Sequence, residues 1–318
     1  MLGTLWTIFC YAFSSYVVVR VLKFLFIVVK CFVVHVVTPM YNLDHLKDSW
    51  TVVTGGTDGI GRAYIEELAK TRGLKKFYLI GRNPNKLETV KKELSERYDA
   101  TCKTAVFDFE KDEYEKLPEE LKTLDVGILV NCAGIAPNQV GGFMEVETGL
   151  ASKILRVNLM SNIKMNELII PGMIKRNRGC VVNVSSMTGW RPLPYLSFYP
   201  ASKAAISFFS DTLSDELRNT NVRVQCLIPM LVATKVASYE KSEANNIFVV
   251  TPEHYAKQAV RAIGRFEILT GCFQHDIQIA FGTLVSFWLF KMLYVPFIML
   301  GIHKERVARY QRAHQKNN

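Results

Sequence analysis

In the stretch LSFYPASKAAISFF, Leu196 to Phe209, a tyrosine and a lysine stand four residues apart. On a helix that spacing puts Tyr199 and Lys203 on one face. An ammonium beside a phenol favours the phenolate, so the pair can supply an acid that works near neutral pH. The competing reading is a packed aromatic without a chemical role, because Phe198, Phe208 and Phe209 accompany Tyr199 in the same run.

A second stretch has the residues to hold an anion. TVVTGGTDGIGRAYIEELAK passes from an apolar run through Gly55, Gly59 and Gly61 into a helical pattern with Ile65, Leu68 and Ala69 on one side. Glycines let the backbone approach a pyrophosphate, and the free N–H groups of a helix start attract it. Thr57, Asp58 and Ile60 complete the turn, so the cofactor expectation covers Gly55 and residues 57–61. The next apolar run, KFYLIGRN, ends in Gly81 and Arg82 without the carboxylate that would hold a ribose 2′-hydroxyl. A guanidinium there can clasp a 2′-phosphate, which favours NADP(H) over NAD(H). Asp108 is placed to meet the adenine ring, and Asn131, Ala133 and Gly134 are expected to line the cofactor floor.

These groups need a scaffold that brings distant turns together. Between Trp50 and Gly271 short β-branched runs alternate with helical patterns: WTVVTGG, KFYLIGR, KTAVFDF, VGILVNCAG, CVVNVSS and VRVQCLIP. That alternation predicts an α/β fold, a Rossmann-type doubly wound parallel sheet whose strand ends line a ligand crevice.

With TGGTDGIG, NCAG, NVSS and YPASK in this order and spacing, the sequence resembles the short-chain dehydrogenase/reductase superfamily from Trp50 to Gly271. The resemblance implies a catalytic set of Asn158, Ser186, Tyr199 and Lys203. Ser186 would polarise a substrate carbonyl and Tyr199 would protonate the developing alkoxide. Lys203 would also hold the nicotinamide ribose, and Asn158 would position a relay water. Val232 and Thr234 look like the residues that fix the carboxamide. Cys132 and Met230 depart from a usual asparagine and glycine, and Asp58 stands where many NADP-linked members carry a base. Within the superfamily, TDGIG, GRN, FDF, PMLVATK and the apolar ends are similar to the very-long-chain 3-oxoacyl-CoA reductases, the group that contains 17-beta-hydroxysteroid dehydrogenase type 12. That similarity implies an endoplasmic reticulum enzyme reducing a long acyl-CoA or steroid ketone, and pairing of two chains through the helices carrying Asn158 and Tyr199.

The 318 residues are 49% hydrophobic with a net charge of +10, and the apolar surplus lies at the ends. Residues 1–37 read as a retained membrane anchor, with Arg20, Lys23 and Lys30 following the apolar run and so placing the catalytic domain in the cytosol. Residues 47–275 form the dehydrogenase domain. Residues 277–318 are an apolar segment with a basic tail, in which Lys291 and Pro296 argue for a helix lying along the membrane or a hairpin dipping into it. Basic charge beside apolar sequence suits a membrane surface, not nucleic acid. Seven scattered cysteines without a close pair suggest a reduced compartment and no structural metal.

Overall fold

The computed structural model describes residues 2–244 and 246–315. Met1 of the expected anchor, Asn245, and residues 316–318 of the expected tail lie outside the described residues.

All six apolar runs form strands: β1 (Trp50–Thr54), β2 (Lys76–Gly81), β3 (Thr101–Val106), β4 (Val126–Asn131), β5 (Gly179–Val184) and β6 (Val222–Leu227). Two short strands, β7 (Leu231–Val232) and β8 (Val249–Val250), pair apart from the main sheet, and β9 (Ile268–Leu269) closes it as a seventh strand. The order is β3-β2-β1-β4-β5-β6-β9, every pairing parallel. β9 has no counterpart among the expected strands, since two residues are too short to show a period.

The chain starts in the middle of the sheet, winds outward to β3, then returns to β4 on the other side of β1. This reversal leaves a crevice beyond the carboxyl ends of β1 and β4, the usual ligand position in such a sheet.

The helices are α1 (Leu2–Phe32), α2 (Gly59–Arg72), α3 (Pro84–Tyr98), α4 (Leu150–Ile154), α5 (Ser161–Arg176), α6 (Tyr199–Glu216), α7 (Pro252–Arg261), α8 (Phe273–Leu284), α9 (Phe287–Tyr294) and α10 (Lys304–Gln315). Successive strand residues point to opposite faces, and the core divides accordingly. Val53 packs with Ile65 and Leu68 of α2 and Tyr255 of α7, whereas its neighbour Val52 packs with Ile169 and Met173 of α5. Local chemistry fixes the helix ends. Asn83 accepts the Lys86 N–H at 3.0 Å before α3, with Pro84 opening that helix.

The two ends lean on the domain. The second half of α1 lies against α8, where Arg20 donates to the Thr283 carbonyl at 3.2 Å and the Phe24 and Phe281 rings meet edge-on at 5.4 Å. Its first half leaves Leu5, Trp6, Phe9 and Phe13 exposed. At the other end, α9 continues through a π-helical segment, Val295–His303, into α10. Pro296, which has no N–H to give, falls at the start of that segment. By length and composition alone, residues Phe287–His314 are apolar enough to cross a membrane.

Candidate active site

Past the carboxyl ends of the strands lies a cavity of about 500 Å³. β1 feeds it through Gly55, whose φ of +68° suits glycine, and a side chain there would sit 2.8 Å from the Ala133 nitrogen. The turns after β1 and β4 therefore touch along their backbones, leaving a groove that runs to the start of α2. Gly61 serves packing instead. A Cβ there would lie 2.4 Å from the Gly55 carbonyl oxygen, so this glycine lets α2 close on the turn and does not itself line the cavity.

Gly55, Thr57, Asp58, Gly59, Ile60, Arg82, Asp108, Ala133, Gly134, Val232 and Thr234 all line the cavity, as do Ser186, Tyr199 and Lys203. Asn131, expected on the floor, lies behind it. Its amide donates to Asn183 Oδ1 at 2.9 Å, and Asn183 in turn donates to Ser210 at 3.0 Å, a buried network tying β4, β5 and α6. Lys86, outside the quoted motifs, and Lys235, the last residue of PMLVATK, pair with the Asp58 carboxylate at 3.6 and 2.9 Å. Burial pushes the Asp58 carboxyl up, but the Lys235 ammonium and the Gly59 N–H outweigh it and hold the group below the usual carboxylate range. With Arg82, three cations gather around Asp58 on a wall that Asp108 and Glu110 also line, a cluster of donors that suits a phosphate.

At the other end, Tyr199 and Lys203 occupy the first turns of α6. The Lys203 ammonium lies 5.9 Å from the centre of the Tyr199 ring and donates to the Val184 carbonyl at 2.8 Å. Burial pushes the ammonium down to about 8. Burial also pushes the phenol up, and the group opposing it is the Ser186 hydroxyl. This differs from the expectation that Lys203 lowers the phenol directly: here the ammonium is engaged by a backbone carbonyl, and Ser186 is the phenol's hydrogen-bonding neighbour. Ser186 accepts from the Thr188 N–H and hydroxyl at 3.3 and 3.1 Å, which leaves its own proton free to donate.

Asn158 sits in a π-helical segment, Leu155–Met160, between α4 and α5. It accepts the Ile135 N–H at 2.8 Å and donates to the Ile135 carbonyl at 3.0 Å and to Ser202 at 3.1 Å. Its side chain thereby fixes the loop after β4 against α6. Gly134 stands next to it, where a Cβ would be 3.5 Å from both Asn158 Oδ1 and Lys203 Nζ.

The arrangement offers two hydroxyl donors to the cavity, Ser186 and Tyr199, able to hydrogen-bond one oxygen and to give it one proton, beside a glycine-lined groove with an anion-binding turn. That is the equipment of a carbonyl–alcohol interconversion using a dinucleotide.

Known proteins resemble this chain in sequence and fold. The short chain dehydrogenase family profile matches residues 49–245. A very-long-chain 3-oxoacyl-CoA reductase of Mus musculus is 35% identical over 271 residues, covering 84% of each chain. An uncharacterised oxidoreductase of Caenorhabditis elegans is 63% identical over 191 residues, 60% of this chain, which spans only 23% of that longer protein. Among solved structures, a short-chain dehydrogenase from Sphingobium yanoikuyae in complex with NADPH superposes with a TM-score of 0.60 at 24% identity, covering 67% of this chain and 83% of the other. The chain belongs to the short-chain dehydrogenase family and is an oxidoreductase of that family.

Proposed function

We propose that the protein is an NADPH-dependent reductase of a lipid ketone, with a long-chain 3-oxoacyl-CoA as substrate. One observation carries the chemistry: Ser186, Tyr199 and Lys203 line one cavity with the glycine turn. A dinucleotide bound here would supply hydride. The turn from Gly55 to Gly59 and the start of α2 would hold its pyrophosphate, and Arg82, with Lys86 and Lys235 nearby, would hold a 2′-phosphate. Ser186 donates to the ketone oxygen and withdraws its charge, while Tyr199 gives that oxygen a proton as it becomes an alkoxide. Lys203, whose ammonium lies beside Gly134, would hold the ribose. Asn158 acts by holding the Ile135 loop in place, and that loop is where a relay water would be bound.

The substrate class rests on the relatives' names and on apolar ends suited to a bilayer. Leu5, Trp6, Phe9 and Phe13 of α1 are exposed, and Arg20, Lys23 and Lys30 follow them, a charge order that supports a catalytic domain on the cytosolic side of a membrane, which the relatives' kind suggests is that of the endoplasmic reticulum. The test is kcat/KM with NADPH across 3-oxoacyl-CoAs of increasing chain length and a set of keto-steroids, in detergent and in liposomes. Each buried methylene contributes about 0.8 kcal/mol, so efficiency should climb with chain length. A flat profile with efficient steroid turnover would transfer the assignment to steroids, and a preference for short soluble ketones would remove both.

A further inference from the structure

The family match ends at residue 245, but the cavity does not. His303 and Val307, from the far end of the chain, line it together with Leu196 and Tyr199. Val307 is 4% exposed and Met299 2%, both packed in one cluster with Val140, beside Tyr195 and Leu196. The segment is strapped down at Arg306. Its guanidinium lies 3.4 Å over the Tyr239 ring and donates to the carbonyl oxygens of Ser238 and Ala237, which are themselves cavity residues. A cation stacked on an aromatic and bonded to two carbonyls is a firm fastening for an exposed helix. Elsewhere on the same helix Trp288, Leu293, Phe297 and Ile302 are exposed, at 73, 52, 69 and 64%.

The volume makes this wall consequential. About 500 Å³ suits one ligand of moderate size, and a dinucleotide lying from Arg82 to Lys203 takes up much of it. A long acyl chain attached to a ketone at Tyr199 must therefore leave the cavity. We propose that it leaves past Val307, so that the helix from Phe287 to His314 is the outer wall of the substrate site and leads the chain from the catalytic cavity along its apolar surface toward the bilayer. Val307 is then the residue that sets whether a long chain can pass, and Arg306 holds the wall in place. The inference rests on the lipid-ketone reading above.

The test uses the full chain with Val307→Trp, which narrows the passage, and Val307→Ala, which widens it. Calorimetry measures affinity for a short and a long saturated acyl-CoA in the presence of NADP, and turnover of matching 3-oxoacyl-CoAs is followed in liposomes. The parent should prefer the long chain. Val307→Trp should cut that preference by about tenfold or more, the worth of roughly two buried methylenes, with a much smaller loss of short-chain affinity and with NADPH affinity retained at temperatures where the variant is folded; its melting temperature should drop, because Val307 is packed in a buried cluster. Val307→Ala should keep or increase the preference. Equal losses for short and long chains in the tryptophan variant, or an unchanged preference in both variants, would overturn the assignment of Val307. Should the tryptophan variant unfold, a marked loss of long-chain preference in Val307→Ala would likewise overturn it. Absent 3-oxoacyl-CoA turnover alongside long-chain binding that still responds to Val307 would instead count against the reaction and uphold the passage.

Discussion

The backbone N–H of Met230 donates to Nδ1 of His275 at 3.3 Å, which ties the loop after β6 to the first turn of α8. His275 is fully buried, and burial pushes its imidazole down to about 4 from an ordinary 6.5, so the ring that receives Met230 is neutral. Met230 lines the cavity next to Val232 and Thr234, so this contact fixes the loop expected to face the nicotinamide. Between pH 6.5 and 4 the unfolded chain binds a proton that the folded chain refuses. Stability from this group is therefore complete above 6.5 and is lost as pH falls toward 4. His275→Gln keeps an acceptor but does not titrate, and melting temperatures measured across that range should fall less steeply than for the parent. Parallel curves would show that His275 contributes nothing to the acid sensitivity.

Replacing Tyr199 with Phe keeps the ring and removes the proton. Turnover should drop roughly a hundred- to ten-thousand-fold, the usual worth of a positioned acid, with NADPH affinity and melting temperature preserved. Phe198 packs against Phe143 at 6.1 Å, outside the cavity, so Phe198→Leu should keep most activity. Near-parental turnover by Tyr199→Phe would remove the phenol from the mechanism.

The contrast between Tyr199 and Val307 shows what a sequence can reveal. Tyr199, Lys203 and the Gly55–Gly61 turn are local patterns: helical spacing places the first two, and a strand followed by glycines and a helix defines the third. Six strands are legible for the same reason, since each is a β-branched run ended by small or polar residues. Val307, His303 and His275 reach the site only because distant helices fold back on it, and no local period marks them. Lys235 lies within the PMLVATK stretch, but its partner is hidden from the sequence in the same way. It meets Asp58 from the far side of the sheet's chain order, and Asp58 alone reads as an argument against NADP. Asn131 is not a floor residue because its neighbour in space, Asn183, belongs to another strand and draws the amide inward.

Cofactor choice should respond to both Arg82 and Lys235. Arg82→Ala removes a charge-assisted contact, worth about 1.5 to 3 kcal/mol, that only the 2′-phosphate can make. Binding titrations should show NADPH weakened by roughly ten- to a hundredfold and NADH hardly changed. Lys235→Ala should also cost NADPH more, because it frees the Asp58 carboxylate to repel the phosphate. Losses of equal size for the two cofactors would make both residues structural.

Lys203 obeys the same sign as His275 in a higher pH window. Its folded value of about 8 lies below the ordinary 10.5, because burial disfavours the ammonium even with the Val184 carbonyl beside it. Between pH 8 and 10.5 the unfolded chain holds a proton that the folded chain has released, so the native state of the cofactor-free protein gains stability relative to the unfolded one as pH rises. Lys203→Met fills the same space without a charge to bury. The variant should be more stable than the parent at pH 7, and its lead should shrink steadily as the pH is raised through that window. Melting temperatures of the two proteins, measured without dinucleotide at several pH values, check this directly. A constant difference from pH 7 to 10.5 would mean that the buried ammonium is as well satisfied in the folded cavity as in water, and that the cavity does not favour its deprotonation.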